Sequence, residues 1–221
     1  MRTVRIAAAV LALALLAAGP ARAASPQDNV PGRFDYYVLS LSWSPSYCED
    51  AAGARDDQQC RRTRPFAFVV HGLWPQSARN LLNDCARPAP YVPRRTVESM
   101  LDIMPSYGLV IYEWKKHGTC SGFGPDAYFD TVRAAFGKVE IPSEFVRLNA
   151  ARSISPAEVE DAFLAANPAL KRDMIAVTCD RTRLKEVRIC MSRELGFTSC
   201  PDVDRRACRL PRVVMPPVRG G

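Results

Sequence analysis

Histidine is nearly absent from this chain of 221 residues, which holds two, His71 and His117. A metal site made of histidine alone is therefore excluded, and any imidazole chemistry must use one or both of them. The eight cysteines include no C-x-x-C pair, which disfavours a zinc ribbon or a thioredoxin-type redox centre. No Asp/Glu/His cluster has ligand spacing, so no metal or other cofactor is expected. Beyond the first two dozen residues no apolar run approaches the roughly 20 residues of a membrane span. Repeats, heptads, low-complexity blocks and dividing linkers are missing too. Hydrophobic residues make up 48% and charged residues 24%, enough to bury a core, and the length suits one domain.

What is present begins with Met1 to Ala24, which reads as a secretory signal. Arg2 and Arg5 precede an unbroken apolar run from Ile6 to Ala18, and Ala21-Arg22-Ala23 supplies small residues for a cut after Ala23. Thirteen residues are short for a membrane anchor. The expected division is residues 1–23 as signal and 24–221 as a single domain with loose ends, secreted or periplasmic. Removal of three arginines reduces the net charge from +7 to +4. That charge is compatible with a polyanionic partner but does not identify one. An even count of cysteines in an exported chain predicts four disulfides, with 105 possible connectivities.

The pattern predicts strands at Phe34–Trp43 and Phe66–His71, the latter closed by Gly72. Further strands are predicted at Met174–Thr178 and Leu184–Met191. Tyr47–Thr63 reads as a disulfide-tied loop and Ser77–Arg95 as mostly loop. Helices are predicted at Thr96–Met104, from Ile111 up to a cap at Gly118, and at Asp126–Phe136. Another is predicted from an N-cap at Ser155 to about Ala166. The tail beyond Cys208 reads as loosely docked or frayed. Irregular alternation of strands and helices points to an α+β fold.

His71 ends an apolar strand in HGLWPQ, where a side chain can emerge into a cleft. His117 lies in YEWKKHGTC, and on a helix Glu113, Lys116 and His117 fall at i, i+3 and i+4, on one face. Such pairs also occur on solvated helices for stability alone. Two imidazoles and a lysine nevertheless match one reaction class well. RNA cleavage needs a base for the ribose 2′-OH, an acid for the departing 5′-oxygen and a cation for the phosphoryl oxygens. Histidine can serve as acid or base near neutrality and lysine supplies the electrostatic part.

HGLWPQ at 71–76 and EWKKHGTC at 113–120 resemble the two active-site segments of the ribonuclease T2 family, and LKEVRIC at 184–190 is similar to its late strand. The resemblance spans Phe34 to Cys208. It implies an α+β fold with a central antiparallel sheet packed with helices and stapled by disulfides. It also implies cleavage of single-stranded RNA by transesterification to a 2′,3′-cyclic phosphate and then hydrolysis to a 3′-phosphate. By the same resemblance His71 would be the first-step acid and His117 the base, roles that the residues alone do not distinguish and that exchange in hydrolysis, while Glu113 and Lys116 would stabilise the phosphorane or assist proton transfer. Trp74 would stack a base with low specificity and Gln76 would contact it, whereas Trp43 and Trp114 are assigned to packing. Many eukaryotic members carry His where this chain has Tyr112, whose phenol can hydrogen-bond a phosphate oxygen but brings no positive charge. The implied bridges are Cys85–Cys120 and Cys190–Cys200 nested inside Cys179–Cys208, with Cys48–Cys60 as the remaining pair.

The expected substrate is single-stranded RNA. DNA should not be cleaved, because it lacks the 2′-OH nucleophile, and nothing in the sequence points to a dimer. A catalytically silent binding or defence protein on the same scaffold is the competing reading. Loss of either histidine or of Lys116 would favour it, and all three are present. A secreted phosphatase would want a nucleophilic His beside Arg, and neither histidine has that context.

Overall fold

A computed structural model describes residues 29–61, 65–77 and 82–218. The signal reading of residues 1–23 lies outside the described residues. Strand β1, Tyr36–Trp43, occupies an interior position in a four-stranded antiparallel sheet. One neighbour is β2, Phe68–Gln76, which forms one edge. The other is β5, Leu184–Met191, which also pairs with β4, Ile175–Cys179, at the opposite edge.

Side chains alternate across a strand, and paired residues share a face. Tyr37, Leu39, Leu41 and Trp43 therefore join Val70, Leu73, Val187 and Ile189 on one face, all of them buried. Helices α3 (Arg94–Met100), α4 (Tyr107–Lys116), α5 (Pro125–Phe136) and α7 (Pro156–Ala166) contribute Val97, Trp114, Phe129 and Phe163 to this core. Trp43 and Trp114 are accordingly packing residues, 0% and 1% exposed. The opposite face carries Val38, Ser40, Ser42, Gly72, Trp74, Glu186 and Arg188 by the same register. A polar face opposed to an apolar one is what the α+β arrangement leaves open for a site.

Four disulfides staple this frame: Cys48–Cys60, Cys85–Cys120, Cys179–Cys208 and Cys190–Cys200. They are the pairs that the family resemblance implies. Among the described residues no helix is long and apolar enough to cross a membrane.

Several local expectations differ from the structure. The strand expected to stop at His71 continues to Gln76. The loop expected at 47–63 opens on the end of a short helix α1 (Ser44–Cys48) and holds another, α2 (Asp57–Cys60), and a 3-10 turn. α3 starts two residues early, since Thr96 turns its hydroxyl to Asp126 instead of capping, and it stops at Met100. The tail is docked rather than frayed: β6, Val213–Met215, pairs with β3, Arg152–Ile154, after the short α6 (Ser143–Val146) and α8 (Pro201–Asp204). Burial of Val213 and Met215 and the bond from Trp43 Nε1 to the Pro216 carbonyl (3.1 Å) hold it down. The helix at Ser155 forms as expected, with the full capping box between Ser155 and Glu158.

Candidate active site

His71 emerges from the middle of β2 through a bulge. Ser40 pairs with Gly72 and Leu41 with Val70, so His71 is the extra residue between them. An inserted residue re-aims its side chain without ending the strand. His71 and Gly72 thereby both serve the polar face. Because β2 is an edge strand, its other side is open to neighbours, and the Val70 N–H is satisfied by the Ile103 carbonyl (2.8 Å).

Gly72 is required by close approach. A Cβ built there would lie 2.0 Å from Glu113 Oε2 and 2.5 Å from Trp74 Nε1. The space is taken by a hydrogen bond in which Trp74 Nε1 donates to Glu113 Oε2 at 2.7 Å. Glu113 reaches it from α4 and is 1% exposed. Its burial, opposed by the His71 charge and the Trp74 N–H, pushes its pKa up to about 7.

On its other side His71 meets β5. His71 Nδ1 lies 2.5 Å from Glu186 Oε1, while Nε2 lies 3.5 Å from Glu113 Oε1. Arg188 Nε and Nη2 both donate to the second oxygen of Glu186, at 2.9 and 2.7 Å. Burial pulls the His71 pKa down. The hydrogen bond to Glu186 and the charges of Glu113 and Glu186 outweigh it, so the imidazole is held above its ordinary value. For Glu186 burial pulls the other way, yet the bonds and charges of His71 and Arg188 bring it to about 2.

His117 sits one residue past α4, whose expected continuation to Gly118 stops at Lys116. Its N–H still bonds the Glu113 carbonyl at 2.9 Å. Gly118 follows not as a left-handed cap but because a Cβ would come within 2.5 Å of the Trp114 ring. Among the described residues the buried His117 Nδ1 has no hydrogen-bond partner. Burial lowers the His117 pKa to about 4, against an upward pull from a hydrogen bond with the Leu82 backbone. The Trp74 ring meets both imidazoles, with centroids 5.4 Å from His71 and 5.2 Å from His117.

Lys116 turns to Asp84 Oδ2 (2.8 Å) and Asn83 Oδ1 (3.2 Å). The segment bearing those acceptors is tied to the end of α4 by the Cys85–Cys120 disulfide and by the Asp84 N–H to Lys116 carbonyl bond (2.7 Å). The expected common face for Glu113, Lys116 and His117 is thus split. Glu113 points into the protein behind Trp74, while Lys116 and His117 line a cavity of about 270 Å³ with Trp74, Gln76, Asn83 and Arg188. Gln76 is buried. Tyr112, exposed, stands apart from that cavity and lines a second one beside His71 with Ser42, Tyr47 and Asp56.

Four residues of this arrangement escape the motif reading: Glu186, Arg188, Asn83 and Asp84. The signal for the first two was charge at alternate positions of the apolar strand LKEVRIC, which places both on one face. Asn83 and Asp84 lie in a stretch read only as loop. Their proximity to Cys85 brings them to the helix end once Cys85 is joined to Cys120.

A ribonuclease family model, described as the Ribonuclease T2 family, matches residues 34–200. A probable ribonuclease of Haemophilus influenzae is 30% identical over 185 residues, covering 78% of this chain and 63% of that protein. Ribonuclease I of Escherichia coli is 34% identical over 164 residues, covering 57% of this chain and 61% of its own length. The chain thus spans about three-fifths of the length of these two relatives. In fold it is similar to RNase NT, solved in complex with 5′-AMP, with a TM-score of 0.66, 21% identity and coverage of 83% and 98% of the two chains. The RNase-related protein from Calystegia sepium gives a TM-score of 0.67 at 23% identity, over 84% of this chain and 98% of the other. With both motifs brought together at Trp74 and the family match running from Phe34 to Cys200, the chain belongs to the Ribonuclease T2 family.

Proposed function

We propose that this chain is an exported endoribonuclease that cleaves single-stranded RNA without a metal cofactor. The observation that carries this reading is the opposed surroundings of two imidazoles that both meet one tryptophan ring. His71, with two carboxylates about it, favours the protonated form and suits a general acid. His117, half-buried and with a buried Nδ1 that has no hydrogen-bond partner among the described residues, favours the neutral form and suits a general base.

In the first step His117 accepts the proton of the 2′-OH. The O2′–P bond forms, the P–O5′ bond breaks, and His71 gives its proton to the departing O5′, leaving a 2′,3′-cyclic phosphate. In hydrolysis the roles exchange: His71 takes a proton from water and His117 returns one to O2′, which yields a 3′-phosphate. Lys116 offsets charge on the phosphoryl oxygens, with substrate competing for the ammonium against Asp84. Glu113 anchors Trp74 and faces His71. Trp74 and Gln76 contact a base in the cavity they line with His117. Stacking on an indole tolerates any base, which favours low specificity. Tyr112 hydrogen-bonds a phosphate or sugar oxygen on the side of the second cavity.

The same reading makes residues 1–23 a cleaved signal and the remainder a single-domain monomer in the periplasm or outside the cell. Four disulfides fit an oxidising destination. The experiment is incubation of the purified protein in EDTA with single-stranded RNA and with DNA of the same sequence. Cyclic phosphate ends from RNA and intact DNA are expected. A requirement for a divalent ion, or equal cutting of DNA, would overturn the proposal.

A further inference from the structure

Glu186 and Arg188 lie two residues apart on β5, on the face that meets His71. Glu186 is 8% exposed, and both of its oxygens are engaged. Oε1 holds His71 Nδ1 at 2.5 Å, and Oε2 takes both Nε and Nη2 of Arg188. Burial of an ionised carboxylate is unfavourable without such partners. Arg188 in turn sets its guanidinium carbon 5.0 Å from the centre of the Trp74 ring. The register β2–β1–β5 passes this linkage across three strands, with Ser40 between Gly72 and Arg188. A helix-borne motif search cannot see it.

We propose that Glu186, clamped by Arg188, is the positioning residue of His71. It fixes the imidazole as the Nδ1–H tautomer and leaves Nε2 as the nitrogen that exchanges a proton with substrate. The inference rests on the ribonuclease reading for its consequence in catalysis, but not for its geometry. Nε2 lies 3.5 Å from Glu113 Oε1, too long to lock the proton there. A carboxylate on the far nitrogen raises the basicity of the imidazole and settles its orientation. The other groups around His71 are Glu113 and His117 at the end of α4, and Tyr47, Asp56 and Tyr112 around the adjoining cavity. Of all these groups, Glu186 makes the shortest contact with the ring.

Because the chain has two histidines, nitrogen and ring-proton NMR of the imidazoles reads each one directly, with no dependence on activity. In the wild-type protein the neutral form of His71 should carry its proton on Nδ1. The Nε2–H tautomer, common in free histidine, would overturn the proposal without any variant being needed. In Glu186→Gln, which keeps the size and removes the charge, the His71 titration should move down by at least one pH unit while that of His117 moves little. On RNA, kcat should fall about 10²-fold with KM changed less than threefold, and the alkaline limb of the kcat/KM profile should shift to lower pH. Glu186→Asp, which restores the charge, should recover a higher titration than Glu186→Gln. A folded Glu186→Gln protein with both the His71 titration and the alkaline limb unmoved sinks the assignment. If the wild type does not cut RNA at all, the ribonuclease reading fails, and the imidazole spectra still decide whether Glu186 holds His71.

Discussion

Around His71 two carboxylates converge, one from a strand and one from a helix, whereas His117 is half-buried with a cation next to it in sequence and, among the described residues, no carboxylate within ion-pairing distance. The two regions differ in how they treat positive charge. At His71 burial is outweighed by paired negative charge. At His117 burial dominates and the ring stays neutral through ordinary pH. Identical side chains thereby acquire opposite proton preferences, the separation that an acid and base pair requires. The proton preferences of the two rings are set by their surroundings: Glu186, from outside both motifs, joins Glu113 at His71, and burial acts at His117.

The largest test of that comparison is removal of either imidazole. His71→Ala and His117→Ala should each lower kcat by about 10²–10⁴-fold on RNA, with circular dichroism unchanged. Retained activity in a folded variant breaks the acid–base assignment. A smaller effect is expected from Gly72→Ala, since the added methyl group would collide with the Trp74–Glu113 bond that spaces the two rings. Misplacement of about 1 Å can reduce the rate by roughly 10²-fold, so a loss of about 10–100-fold is expected. Wild-type rates would show that the spacing is not needed.

Tyr112→Phe sharpens the comparison on the His71 side, where the phenol lines the adjoining cavity. Loss of one neutral hydrogen bond is worth about 0.5–1.5 kcal/mol, so KM should rise roughly 2- to 10-fold while kcat holds. A fall in kcat with KM unchanged would instead place Tyr112 in the chemistry.

The smallest effect is on stability against pH, and its sign separates the two rings. The unfolded chain protonates His117 near about 6.5, while the folded protein does so only near about 4. Between those values the unfolded state binds more protons, so stability rises with pH through the window and is lost as pH falls toward 4. His71 is raised, so its contribution is complete below about 6.5 and fades as pH rises through its folded value. Urea unfolding across this range should show His117→Gln flattening the acid-side rise and His71→Gln flattening the alkaline-side fall. The same change of slope in both variants would mean that the surroundings do not distinguish the rings.

Much of this was legible beforehand, and the misses are instructive. β5 begins and ends where the period-two pattern places it, and the Ser155 helix follows from its capping residues alone. Those signals are local. The bulge at His71 was not legible, because register depends on how Leu41 and Ser40 meet the partner strand and not on HGLWPQ itself. The tail misled because its prolines read as loose chain. Val213 and Met215 bury on one side of a short strand, an outcome decided by residues 152–154 some sixty positions earlier.

By itself the sequence determined which groups are available: two histidines, a lysine three residues after a glutamate, and cysteines enough for four bridges. It also determined that these groups sit on strands and helices with one apolar side, since periodicity is a property of neighbours in the chain. Only the tertiary structure decided which imidazole lies between carboxylates and which is set beside an aromatic ring and a lysine. Proton affinity depends on charge and solvent within a few ångströms. Those ångströms are filled by residues as distant as Glu186, which lies 115 positions from His71.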